Sequence, residues 1–170
     1  MPPTLDPVEV ATRLARVARW PGASDLAERA WKLVAHTPEF DAWVIAWPTG
    51  GRVALHDHGR SSGAIVVVRG SLVETVPWWD DAGRLTMRAR ELRPGAALRL
   101  GAGHIHDVTN EAGEAAVSLH VYHPPLSAMT HYDVEGDRLV ARGVGLAADW
   151  VDETPVDLHH RTAAERSLAS

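Results

Sequence analysis

GGRVALHDHGRSSGAIVVVRG at residues 50–70 and GAALRLGAGHIHDVTN at residues 95–110 are the stretches that decide the fold. In an extended strand, side chains two apart project to the same face, so His56 and His58 can point together into a barrel. Gly59, Arg60, Ser61, Ser62 and Gly63 then form a turn before the apolar strand 64–68. The third candidate, His106, lies on another predicted strand, and a small antiparallel β-barrel assembles such a site from separate segments. An all-imidazole set suits zinc, copper, iron or nickel better than magnesium or calcium. Among ten histidines a lone HxH is a weak signal. A second segment in a matching frame makes it a specific one.

The rest of the composition narrows the function classes. At 170 residues and 45% hydrophobic content the chain suits one domain with a sizeable core, spanning 1–170. A net charge of -5 with scattered arginines offers no field for a nucleic-acid backbone, so no nucleic-acid partner is expected. The N-terminus MPPTLDPVEV lacks a charged-then-apolar leader pattern, and no apolar run is long enough to span a bilayer. No membrane partner is expected, and the cytoplasm is the expected location. With no cysteine, disulfides and thiolate ligation are excluded, and a metal site must use His, Asp, Glu, Tyr or backbone groups. Seven tryptophans against one phenylalanine is an unusual aromatic balance.

Two helices are expected in the N-terminal segment 1–36. Asp6-Pro7-Val8-Glu9 reads as a capping box, followed by an apolar stripe of Val10, Leu14 and Val17 and stopped by Pro21-Gly22. Ser24 can cap a second helix over 25–35, with Leu26, Ala30, Leu33 and Val34 on its inner face. From Phe40 the pattern becomes short apolar stretches cut by turn residues: FDAWVIAW, GAIVVV, SLVETV, RLTMRAR, ALRL, AAVSLHVY and RLVA. This spacing predicts an antiparallel barrel or sandwich over 39–150 in a mainly β domain. The tail 151–170 has weak periodicity and is expected to be partly disordered.

Within AAVSLHVY, Ser118, His120 and Tyr122 alternate and share a face. A hydroxyl, an imidazole and a phenol in line can relay a hydrogen bond, Ser118 orienting His120 and His120 orienting Tyr122. His104 shares the predicted strand face of His106, as a supporting residue or a competing ligand. His36, His123, His131, His159 and His160 read as ordinary polar positions.

The first histidine segment resembles the first cupin motif: Gly50, His56, His58 and Gly70 fall in frame, with Gly63 at the acidic position. The second resembles the second cupin motif, with Gly95, Gly103, His106 and Asn110 in frame and Gly101 where proline is usual. Loss of the acidic ligand, together with LHDHG, HDVTN and AVSLHVYHPP, makes residues 31–133 similar to the thiol dioxygenase branch of cupins, the cysteine dioxygenase family. The resemblance implies a cupin jelly roll carrying Fe(II) on His56, His58 and His106. It further implies a small thiol and O2 as substrates, a sulfinic acid as product, and Ser118, His120 and Tyr122 as catalytic residues with the phenol beside the iron. Family members with cysteine at the Gly63 position link it to the tyrosine, so Tyr122 here is expected to be an unmodified phenol.

The expected substrate pocket departs from the family. Trp47 matches a pocket tryptophan, but the arginine that clamps the substrate carboxylate is replaced by Trp31, Lys32 and Leu33. Lys32 could substitute as a point charge, and Arg60 could hold a carboxylate. Trp31 in place of a guanidinium suits a larger, aromatic or cationic thiol, such as the betaine ergothioneine. Two other readings of the same three histidines stand beside the dioxygenase: a zinc hydrolase or isomerase, and a non-catalytic ligand-binding cupin.

Overall fold

The computed structural model describes residues 5–17 and 30–146. A helix α1 (Pro7–Val17) precedes eleven strands among these residues: β1 (Ala30–His36), β2 (Asp41–Trp47), β3 (Arg52–His56), β4 (Ser62–Arg69), β5 (Leu72–Trp79), β6 (Leu85–Leu92), β7 (Ala97–Leu100), β8 (His106–Thr109), β9 (Ala116–His123), β10 (Ala128–Glu135) and β11 (Arg138–Leu146). They form two antiparallel sheets, ordered β1-β2-β9-β4-β7 and β11-β10-β3-β8-β5-β6. This is the mainly β architecture expected, and no helix among the described residues is long and apolar enough to cross a membrane.

The central strands β2, β9 and β4 of the five-stranded sheet are buried on both faces, which is why β4 reads as a nearly unbroken apolar run. Ile65 and Val67 face the interior with Trp43, Trp47 and Tyr122. Ala64 and Val66 face the other way with Ala42, Leu119 and Val121, and α1 covers them through Val8, Val10, Ala11 and Leu14. The start of α1 is fixed as its sequence suggests: the Asp6 carboxylate accepts from the Val8 amide at 2.9 Å, and Arg99 of β7 pairs with the same carboxylate.

The second expected helix is not formed where the structure can be read. Ala30–His36 is instead strand β1, paired from Ala30↔Ala46 to His36↔Asp41, with a bulge between Leu33 and Ala35. The apolar positions of this segment satisfy a helical stripe, but Trp31 and Leu33 alternate with Lys32 as well. Pairing with β2 supplies the strand's backbone hydrogen bonds, turns Leu33 toward the interior and sets Trp31, still 39% exposed, at the mouth of the cavity. The barrel therefore begins at Ala30 rather than at residue 39. Residues 25–29, the stop at Pro21-Gly22 and the tail 151–170 lie outside the described residues.

Asn110, fully buried, explains its place in the second motif. Its Nδ2 donates to the carbonyls of Trp47 at 2.9 Å and Glu114 at 2.8 Å, and its backbone exchanges two hydrogen bonds of 2.8 Å with Gly50 and Gly51. One side chain thus joins the β2–β3 turn to the β8–β9 connection. Replacing Asn110 with Ala takes this donor from the buried Trp47 carbonyl and the part-buried Glu114 carbonyl and is expected to cost about 1–3 kcal/mol, read as a lower urea midpoint with an unchanged m value.

Candidate metal centre

His56 ends β3 and pairs across the ladder with His106, which opens β8. His58 lies two residues beyond the end of β3, and His104 sits in the turn before β8, so neither is on a strand as expected. The three rings of His56, His58 and His106 nevertheless converge. Each offers a nitrogen within 4.8 Å of the others, and all three side chains are buried.

The sharp course of the His56-Asp57-His58 segment has a visible cause. Asp57 points away from the two histidines and is held on β10: Tyr132 Oη donates to its Oδ2 at 2.6 Å, and the Gly59 amide donates to Oδ1 at 2.9 Å. The Asp57 amide in turn donates to the Thr130 carbonyl at 3.0 Å. Gly59 has φ +57°, a left-handed conformation that lets the chain turn back immediately after the second histidine.

Burial fixes the charge state of the trio. Desolvation holds His56 at about 3, far below an ordinary imidazole, and lowers His58 and His106 as well. The proton of each neutral ring is assigned by its partners. His56 Nδ1 donates to the Ala54 carbonyl at 2.8 Å, and His106 Nδ1 donates to Glu74 Oε1 at 3.0 Å. The His106 Nε2 lone pair, like His58 Nδ1, is buried without a hydrogen-bond partner among the described residues. Buried, neutral, unpartnered imidazole nitrogens facing one point are what a transition-metal ion takes, so the residues fit such an ion.

Glu74 was not singled out in the sequence. Its carboxylate is fully buried on β5 and gathers His106 Nδ1, His104 Nε2 at 2.9 Å and the Arg90 guanidinium. Burial alone would raise its pKa, but the hydrogen bonds from His104, His106 and Arg90 outweigh that and hold it well below the usual carboxylate range. The available signal was an acidic residue at an inward parity of a strand, between Leu72 and Val76.

Tyr122, His120 and Ser118 stand beside the trio. Tyr122 Oη lies 3.1 Å from His58 Nε2 and 3.1 Å from His120 Nδ1, and His120 Nε2 lies 2.8 Å from Ser118 Oγ. Burial pushes the phenol above its ordinary pKa and holds His120 at about 3, so both are neutral near pH 7. Gly63 packs against this phenol: a Cβ there would meet the Val121 carbonyl oxygen at 2.7 Å and Tyr122 Cδ1 at 2.9 Å.

A cavity of about 140 Å³ opens on the site. Trp31, Trp43 and Trp47 line it together with His56, His120, Tyr122 and Met129. His131, which the sequence marked only as a polar position, lines it too, its ring 6.0 Å from that of His56. Of the four residues expected to meet substrate, Trp31 and Trp47 are in the lining. Lys32 and Arg60 are exposed and are not in it. Among the described residues that line the cavity there is no arginine, lysine or carboxylate.

Two antiparallel sheets enclosing a buried histidine trio define a cupin of the metal-binding kind. The family model described as "Cysteine dioxygenase type I" matches residues 11–135, and the chain belongs to that family. Cysteine dioxygenase type 1 of Homo sapiens is 30% identical over 100 residues, covering 56% of this chain and 50% of that protein. The Danio rerio protein of the same name is 28% identical over 105 residues, with the same coverage. The chain spans about half the length of the curated relatives it matches. Among solved structures, TT1209 from Thermus thermophilus is 24% identical with a TM-score of 0.49, covering 66% of this chain and 94% of that one.

Two substitutions test this construction. Glu74→Gln keeps a hydrogen-bond acceptor but removes the charge behind His106, and is expected to weaken metal binding about 10- to 100-fold in a chelator competition. Gly63→Ala must move either the Val121 carbonyl or the Tyr122 ring, and is expected to cost roughly 1–3 kcal/mol in urea unfolding.

Proposed function

We propose that this chain is a non-haem iron thiol dioxygenase, with Fe(II) held by His56, His58 and His106. The observation that carries the reading is the trio of buried neutral imidazoles with the Tyr122 phenol hydrogen-bonded to one of them. When bound there, iron supplies open positions at which a thiol sulfur and O2 combine, both oxygen atoms passing to sulfur to give a sulfinic acid.

The chain's own residues have three tasks in this reaction. The apolar lining keeps water from the reacting atoms. Tyr122, kept protonated by burial, offers an O–H to the charge that develops on oxygen or sulfur, and His120 and Ser118 hold the phenol in place. The tryptophans receive the part of the substrate that does not react.

Substrate class follows from what faces the cavity. A free carboxylate would lose its hydration there without a guanidinium to replace it. An indole face instead stabilises a desolvated cation by ~2 kcal/mol. The preferred substrate is therefore a larger, aromatic or cationic thiol rather than cysteine itself; ergothioneine is one example, with its quaternary ammonium over an indole and its carboxylate left in water. The cytoplasm, where free thiols stay reduced, is the setting this chemistry suits.

The test is oxygen uptake by anaerobically iron-loaded protein given a panel of cysteine, aminothiols, aromatic thiols and ergothioneine. Uptake matched by an equal amount of sulfinate in the mass spectrum is expected, faster for aromatic and cationic thiols than for cysteine. Absence of uptake with every thiol, or turnover that persists without oxygen, overturns the reading. Tyr122→Phe is expected to retain iron while losing roughly 100-fold in kcat.

A further inference from the structure

The line of hydrogen bonds through Ser118, His120 and Tyr122 has one more member. Trp47 Nε1 donates to Ser118 Oγ at 2.8 Å, both groups being fully buried. The β2–β9 register sets Trp47 opposite Ala116, so Ser118 is its diagonal neighbour on the same inward face. The indole also lies nearly parallel to the His120 ring, with an interplanar angle of 29° and centroids 6.3 Å apart.

We propose that Trp47 is the positioning residue that sets the direction of the protons in this line and thereby keeps the Tyr122 O–H directed away from His120. An indole N–H can only donate, so Ser118 Oγ accepts from it. The Ser118 hydroxyl proton is then left to His120 Nε2, its other partner among the described residues. An Nε2 that accepts leaves the His120 proton on Nδ1, where it donates to Tyr122 Oη. With that lone pair engaged, the phenol's own proton is kept off His120 and is left for the reacting atoms, because an imidazole that ligates a metal, as His58 would, has no second lone pair with which to accept it. The opposite tautomer would put two donors on Ser118 Oγ, leave its hydroxyl proton without an acceptor, and turn the phenol proton back toward His120. Trp47 acts here through its nitrogen, whereas its ring contributes cavity wall.

Trp43 supplies an internal control. It is also buried and lines the same cavity, but its Nε1 has no hydrogen-bond partner among the described residues. Removing that nitrogen changes wall shape without touching the proton line.

The inference rests on Tyr122 being the working hydroxyl of the proposed dioxygenase, but its main test involves no turnover. The full chain, loaded with diamagnetic zinc and labelled with 15N-histidine, is examined by two-bond 1H–15N correlation. His120 is assigned by its loss in His120→Gln. A single His120 tautomer protonated on Nδ1 is expected in the unsubstituted protein and in Trp43→Phe. In Trp47→Phe the hydroxyl of Ser118 is free to rotate, and the Nε2-protonated form is expected to rise at least about tenfold in population. Ser118→Ala, which breaks the same line one residue further on, gives the same release if Trp47→Phe does not fold. An Nε2-protonated His120 in the unsubstituted protein overturns the proposal, as does an undisturbed Nδ1 tautomer in either Trp47→Phe or Ser118→Ala. With iron and an accepted thiol, kcat of Trp47→Phe is expected about tenfold below that of Trp43→Phe. Equal kcat values overturn the functional half. Failure of all thiols to react would count against the dioxygenase reading while leaving the tautomer result intact.

Discussion

Three imidazoles whose nitrogens lie within 4.8 Å of one another cannot be buried as cations, and most of what surrounds the site follows from that constraint. Desolvation and mutual repulsion both disfavour the charged form of His56, so each ring must be neutral and each must dispose of one N–H. A neutral ring with its proton assigned presents a directed lone pair, and an unassigned one does not. The Ala54 carbonyl takes the proton of His56, Glu74 takes that of His106, and the Tyr122 phenol sits against His58. Backbone, carboxylate and phenol thus do for three rings what a metal alone could not do in an unfolded chain.

Glu74 makes the arrangement more than a set of pairwise contacts. A carboxylate with no exposure is costly unless its charge is matched, and Arg90 from the neighbouring strand β6 and His104 from the turn before β8 both reach it. Through this one group the β5–β6 hairpin is tied to the strand that carries His106. Asp57 has the corresponding role on the other side, fastening the His56–His58 turn to Thr130 and Tyr132 of β10. The three histidines are therefore gripped from both flanks of the six-stranded sheet, and neither grip uses the faces that point at one another.

What the sequence revealed of this site was its periodic part. Ser118, His120 and Tyr122 announce themselves because residues two apart on a strand share a face, His56 and His58 by the same spacing although the second lies beyond the end of β3, and Asn110 through the motif its segment resembles. Asp57, Glu74 and His131 are single polar residues whose partners come from distant strands, and no local spacing records such partners. Ala30–His36 illustrates the limit for the fold itself. Its apolar residues satisfy a helical and an alternating pattern together, and only the availability of β2 as a pairing edge decides between them. The same edge then carries Trp31 into the cavity and leaves Lys32 exposed, which sequence order alone could not separate.

The cavity and the metal site also place different demands on the same side chains. Tyr122 must stay neutral and fixed, and the close approach of Gly63 to the Val121 carbonyl and the Tyr122 ring leaves no room for a side chain that could displace or modify it. The tryptophans, by contrast, are bound by shape and by the absence of neighbouring charge. A site in which the reactive end is held by hydrogen bonds and the receiving end by aromatic surface can keep its chemistry while the accepted molecule changes. Trp47 belongs to both ends, since its ring is wall and its nitrogen is the start of the line that reaches Tyr122. Any change of specificity made at that position would therefore also alter the direction of the phenol's proton, whereas changes at Trp31 or Met129 would not.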